Sequence, residues 1–311
     1  MDLLVRIYFN AVFGGLGGLL GWMLFGIFGD KSSPSPSQLV LGGALIGGFI
    51  GYLVVSVDAV RDQSLVRFCR AASLGLVLGA LGGAAGILMG EQVNYFLVQK
   101  LLNVSWFRGI GEVISRGLGW MLLGVAVGVS EGIAARSMAK LSYGTIGGTV
   151  GGFIGGILFG IIKVADKSSP GMSHVWGGAV GLVILGACIG AFSALVQGVF
   201  QPACVKVLRG WQEGREYPIV KAENILGRDE ASDIPLFRDM RVEKQHAVIQ
   251  RDGKRFVFQN HRSPPETTRV NDRPISADCD LNDGDRIQLG GIVLRFQMRA
   301  AKDRSKAVVA P

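Results

Sequence analysis

Six apolar stretches follow one another across the first 200 positions, each about the 20 residues that a helix needs to cross a hydrocarbon layer of about 30 Å. They run from Ile7 to Phe28, Leu39 to Val57, Ala71 to Gly90, Gly117 to Ala134, Leu141 to Ile162 and Val175 to Val199. The expected architecture for residues 1–202 is an all-α membrane bundle. The first stretch does not read as a signal peptide, because it lacks a strongly basic start and further spans follow it. The fourth is the shortest, since Arg116 and Glu131 bound it closely. Both should lie near the interfaces, snorkel, or mark a re-entrant segment.

Charge separates the chain into two parts. Residues 1–202 hold 12 of the 32 Lys and Arg and 8 of the 24 Asp and Glu, so the last third carries the other 20 and 16. The formal net charge of +8 is spread out without an aromatic-interleaved basic stripe, which argues against nucleic-acid binding. Arg61, Arg67 and Arg70 follow the second span and Arg136 and Lys140 the fourth, which marks those loops as cytosolic. Both termini are then expected inside, in a multi-pass plasma or inner-membrane protein.

Glycine is the other constraint. Of the 47 glycines, 40 precede residue 200, although each interior glycine costs a helix about 1 kcal/mol relative to alanine. They recur every fourth residue, most clearly as Gly144, Gly148, Gly152, Gly156 and Gly160, with a second track through Gly147, Gly151 and Gly155. Such faces let two helix backbones approach closely. They suit packing within one bundle; the sharper alternatives are homo-oligomerisation or a narrow pore.

An internal repeat points to tandem hairpins. Asp30-Lys31-Ser32-Ser33-Pro34 recurs as Asp166-Lys167-Ser168-Ser169-Pro170. At a shift of 73, Ser64, Arg67, Gly75, Gly79, Gly82 and Gly83 match Ser137, Lys140, Gly148, Gly152, Gly155 and Gly156. Odd spans pair with odd and even with even, so the expected unit is one helical hairpin used three times. Between spans three and four, Val93, Phe96, Leu97, Leu101 and Val104 suit either an interfacial helix or a connecting loop. The span centres carry no charge of the kind that ion-coupled transport uses, and Asn10 and Gln197 read as partners in interhelical hydrogen bonds.

After Gln201-Pro202 short apolar runs bounded by turns predict an all-β sandwich. The expected strands are Val205–Arg209, Asn224–Gly227, Ile234–Phe237, His246–Gln250, Arg255–Gln259, Thr268–Val270, Arg286–Leu289 and Ile292–Met298, with a hairpin turn at Asp252-Gly253. The series Gly214-Arg215-Glu216-Tyr217-Pro218-Ile219, Ile225-Leu226-Gly227-Arg228-Asp229, Val242-Glu243-Lys244-Gln245-His246-Ala247, Thr268-Arg269-Val270-Asn271 and Leu281-Asn282-Asp283-Gly284-Asp285-Arg286-Ile287 resembles the forkhead-associated (FHA) domain over residues 203–299.

The resemblance implies an eleven-stranded sandwich whose apical loops bind phosphothreonine peptides without catalysis. Arg228 then corresponds to the family's phosphate-binding arginine and Lys244 to a second basic residue. Gly227 is the turn glycine, His246 a loop brace, and Thr268 and Asn271 close the family's Asn-Gly-Thr-x-Val-Asn stretch. Two positions depart from the pattern. The family's phosphate-binding serine is Glu243, and its peptide-binding asparagine aligns with Glu266. Two carboxylates where a dianion should sit predict weak or absent phosphothreonine binding. Glu243 could pair with Arg228 and fill the pocket from within, or the domain could be purely structural.

No nucleophile elbow, phosphate loop or metal-ligand cluster is present, and no cofactor is expected. The four cysteines suit unpaired thiols. Residues 300–311 read as a disordered tail. The expected function is a membrane-anchored interaction module for signalling or scaffolding, with a cytosolic protein, phosphorylated or not, as partner. The alternative is a channel, transporter or translocation component regulated by that module.

Overall fold

The computed structural model describes residues 3–28, 35–97, 107–167, 173–253, 255–261, 263–275 and 278–298. The first copy of the Asp-Lys-Ser-Ser-Pro segment, residues 168–170 of the second, the inter-span segment after Leu97 and the tail fall outside the residues so described. The chain divides into two compact units, one helical and one built of strands.

The helical unit contains α1 (Leu3–Phe28), α2 (Pro36–Asp62), α3 (Leu65–Asn94), α4 (Phe107–Ala135), α5 (Met138–Lys167) and α6 (Ser173–Phe200). All six are long and apolar enough to cross a membrane. The fourth is a full-length span and not a shortened one. It starts ten residues before Gly117 because Ile110, Val113 and Ile114 continue the apolar run, and Arg116 lays its guanidinium 5.5 Å from the centre of the Phe159 ring.

Glycine lines every seam of this unit. Gly51 meets the carbonyl of Gly75, and Gly75 that of Gly51, between α2 and α3. Gly124 and Gly148 make the same reciprocal contact between α4 and α5, and Gly186 and Gly14 between α6 and α1. Gly17 and Gly21 lie against Ile50 and Ile46 across α1 and α2, Gly86 meets Gly119 across α3 and α4, and Gly147 and Gly151 face Ser193 and Ile189 across α5 and α6. The helices therefore close into a ring. Gly144, Gly148, Gly152 and Gly156 are spent against α4, and Gly160 approaches Val113 of the same helix. Packing within one bundle, the first of the readings above, is what this face does in the structure.

Superposing the three reciprocal pairs relates position 51 to 124 and 186, and position 75 to 148 and 14. The same offsets bring Ile50, Leu123 and Leu185 into one set and Val54, Val127 and Ile189 into the next. All six are buried and belong to one core. The tandem hairpin expected from sequence is thus a threefold arrangement around an apolar centre. The turns agree as well. Gln63 and Arg136 take φ of 54° and 50°, and Ser64 and Ser137 each accept from the backbone N–H three residues on, at 3.3 Å.

The next set is polar. Asp58, Glu131 and Ser193 are equivalent, as are Arg67, Lys140 and Arg6. Lys140 pairs with Asp58 at 2.9 Å, Arg6 reaches Asp58 at 3.6 Å, and Arg67 takes Asp62 at 2.9 Å. Arg6 also donates to Gln197 Oε1 at 3.0 Å, and Gln197 Nε2 donates to Glu131. Asn10 donates to the Arg6 carbonyl within α1 at 2.9 Å. The expectation holds for Gln197, whose bond joins helices, and not for Asn10, whose bond stays within one.

Among the described residues the strand unit contains eleven strands: β1 (Ala203–Arg209), β2 (Glu216–Ile219), β3 (Glu223–Gly227), β4 (Ile234–Pro235), β5 (Ala247–Asp252), β6 (Arg255–Asn260), β7 (Thr268–Val270), β8 (Arg273–Pro274), β9 (Cys279–Asp280), β10 (Arg286–Leu289) and β11 (Ile292–Met298). They form a six-stranded sheet ordered β2-β1-β11-β10-β7-β8 and a five-stranded sheet ordered β4-β3-β5-β6-β9. Alternate residues of β1, β5 and β6 point inward, and Val205, Ile249, Phe258, Ile287 and Phe296 are buried in a common core. Three strands escape the sequence reading. The strand β2 holds Pro218, which removes a backbone donor and confines the segment to a sheet edge, while β8 and β9 have two residues each.

Candidate functional site

The loops at one end of the sandwich are drawn together by backbone and side-chain bonds. Gly227 ends β3 where any Cβ would strike the carbonyl of Lys244. That closeness lets Arg228 N donate to Glu243 O at 3.0 Å and Asp229 N to Lys244 O at 3.3 Å. The loop before β5 is thereby fixed beside the loop after β3.

His246 is the internal brace. Glu243 N donates to its Nδ1 at 3.1 Å, so the ring proton sits on Nε2, 2.9 Å from Thr268 Oγ1. Both side chains are fully buried. Burial lowers the His246 pKa, against weaker opposing influence from Glu243 and Asp239. The depressed pKa makes the unfolded chain the stronger proton acceptor. Stability from His246 is therefore complete above the unfolded value near 6.5 and is lost as pH falls from there toward the lower folded value. Thermal unfolding followed through Trp211, the strand unit's one tryptophan, should show a midpoint that drops between pH 7.5 and 5.5, and His246→Asn should flatten that dependence.

A second staple ties the same loops to the turn between β10 and β11. Asp239 accepts from Arg241 N at 3.0 Å, Arg241 Nε at 3.1 Å and Gly291 N at 2.6 Å. Burial pushes the Asp239 carboxyl up, but the bonds from Arg241 and Gly291 outweigh it and hold it below the ordinary range. Gly290 N in turn donates to Thr267 O at 2.8 Å, which brings in the Pro265–Thr267 turn that carries Glu266.

Arg228, Glu243, Lys244 and Glu266 thus share this end, with both glutamates and Lys244 exposed. Two expected site residues are engaged with other partners. Thr268 is consumed by His246. Asn271 lies past the far end of β7 at φ 50°, where it donates to Asp285 at 2.9 Å and accepts from Arg286 N at 2.9 Å; a three-residue strand separates it from the loops. Nor does Glu243 fill the pocket by pairing with Arg228. Among the described residues the arginine instead points Nη1 at Met240 Sδ, 3.3 Å away, and its Nε is buried without a partner. The exposed Trp211 and Met240 of this end went unnoticed in sequence, because an isolated apolar residue in a turn carries no periodic signal.

The profile of a family described as the inner membrane component of T3SS, cytoplasmic domain, matches residues 206–300. Similar solved structures include an FHA domain from work on phosphothreonine-dependent FHA interactions, 28% identical, covering 32% of this chain and 98% of that one, with a TM-score of 0.29. Another is the FHA domain of a Chlamydia trachomatis protein, 24% identical, covering 32% and 99%, with a TM-score of 0.29. A comparison with curated proteins gives no match. The C-terminal unit is thus similar to that family's cytoplasmic domain and to FHA domains, and the six helices of the other unit are long and apolar enough to cross a membrane.

Proposed function

We propose that this protein is a membrane-anchored FHA-like interaction module that holds a partner protein at the cytosolic face without requiring phosphothreonine. One observation carries the reading: Glu243 and Glu266 stand exposed among the loops that hold Arg228 and Lys244. Like charges at a few ångströms repel a phosphate dianion, and neither glutamate can donate the hydrogen bond that a serine or asparagine would. The role is one of scaffolding, with the helices as anchor. Their stacked apolar layers leave the centre of the ring filled, and the charged residues at its end pair with one another, which supports an anchor over a solute pathway. The family description of residues 206–300, a cytoplasmic domain of an inner-membrane component, accords with this arrangement.

Orientation is tested by labelling. With Cys69, Cys188, Cys204 and Cys279 replaced by alanine, a cysteine placed at exposed Asp252 should react with an impermeant maleimide in inverted vesicles and stay unreacted in intact cells. The opposite pattern would place the sandwich outside and remove a cytosolic partner from the account.

A further inference from the structure

The interaction-module reading leaves one edge of the sandwich unexplained. In the turn between β1 and β2 Trp211 is 53% exposed, and in the loop between β4 and β5 Met240 is 78% exposed. Between them in the sequence of contacts lies Arg238. Its guanidinium carbon sits 3.4 Å from the centre of the Trp211 ring, on a backbone with φ of 67°, a left-handed conformation that a non-glycine residue adopts under strain. Strain at such a residue persists only where the surrounding loop holds it, and the Asp239 bonds to Arg241 and Gly291 do so from the adjoining position.

Three arginines flank this pair, each turned to something other than a carboxylate. Arg209 spends its Nε on the Gly291 carbonyl at 3.3 Å, Arg238 faces the indole, and Arg228 faces the Met240 sulfur. None of the three pairs with a carboxylate among the described residues, while Asp239 is already taken by Arg241. Glu213, Glu230 and Glu243 are the exposed acids of the same loops. An exposed tryptophan and methionine flanked by arginines that form no ion pair among the described residues have the composition of an interface centre.

We infer that Trp211, Arg238 and Met240, with Arg209 and Arg228 beside them, form a docking surface for an acidic, unphosphorylated segment of a partner protein. The partner's carboxylates meet the arginine forks, which suit carboxylate geometry, and an apolar side chain covers Trp211 and Met240. This rests on the reading of the domain as an interaction module, and it assigns the contact to the Trp211–Arg238–Met240 side of these loops, apart from the Lys244 and Glu266 side chains.

The test uses the full chain in nanodiscs of neutral phosphatidylcholine and a displayed library of random, unphosphorylated twelve-residue peptides. Retained peptides should be enriched in Asp and Glu together with an aromatic or large aliphatic residue. Their affinity should weaken at least about tenfold in Trp211→Ala and in Arg238→Glu, less in Arg238→Lys, and should fall as salt rises. Trp211 is exposed, so its replacement leaves the core intact. Retained peptides that lack acidic enrichment, or that bind both variants as well as the wild type, overturn the proposal. If binding is lost only in Lys244→Ala, the module stands and this surface falls; if no peptide is retained, both fall. Association of two discs that Trp211→Ala abolishes would make the occupant a second copy and would equally overturn it.

Discussion

A leucine at Gly124 will prevent the helical unit from assembling, and the full chain will elute from size exclusion in detergent as aggregate. The reason is backbone against backbone. A Cβ at Gly124 would lie on the carbonyl of Gly148, with the Gly152 Cα at 3.3 Å behind it. No side chain is available there to swing aside. Ordinary overpacking of a core costs about 1 to 3 kcal/mol; here two helices must separate, and the three-set core of Ile50, Leu123 and Leu185 would separate with them. Gly26 supplies the control. It has nothing within 4 Å of an added Cβ, and Gly26→Leu should leave the elution profile unchanged.

Valine at Gly227 is the matching disruption in the sandwich. Its Cβ would displace the Lys244 carbonyl, to which Asp229 N and Ser232 Oγ both donate at 3.3 Å. Loss of that contact moves Glu243, and with it the amide that fixes the His246 tautomer. Several buried hydrogen bonds would fail together, each worth about 1 kcal/mol net and more when one partner stays buried and unpaired. The thermal midpoint of the strand unit should fall by ten degrees or more, on the order of what a few kcal/mol does to a domain of this size. Glu266→Ala, at an exposed position in the same end, should leave that midpoint in place.

The two halves were legible to different depths. Apolar length announces six helices, and four-residue glycine spacing announces close packing, but spacing alone does not say which helix a glycine face meets. Gly144 to Gly160 could serve a neighbour in the same chain or in another copy until Gly124 and Gly148 are seen in contact. The threefold sets were largely visible, since the shift of 73 relates α2 and α3 to α4 and α5 and the repeated Asp-Lys-Ser-Ser-Pro precedes both α2 and α6, whereas the pairing of α6 with α1 joins the two ends of the helical unit and shows only in the fold.

In the sandwich, strands that alternate buried and exposed residues were readable, as in β1 and β5, and the edge strand β2 was hidden by Pro218. Loop chemistry was the least legible. Arg228 and Glu243 lie close enough for their backbones to bond, which invites a side-chain ion pair, yet the guanidinium turns to Met240 instead. Asn271 fits its motif in spacing but is carried to the other end of β7. Arg238 and Trp211 are far apart in sequence and only the fold stacks them.

The central claim is that this domain holds a protein without phosphothreonine, and one paired measurement tests it directly. A phosphothreonine peptide library and the same library treated with phosphatase would be titrated against the full chain and against Glu243→Ser. The wild type should bind the phosphorylated library no better than the treated one, while Glu243→Ser should gain phosphate-dependent affinity. Micromolar, phosphate-dependent binding by the wild type, unchanged by Glu243→Ser, would contradict the account.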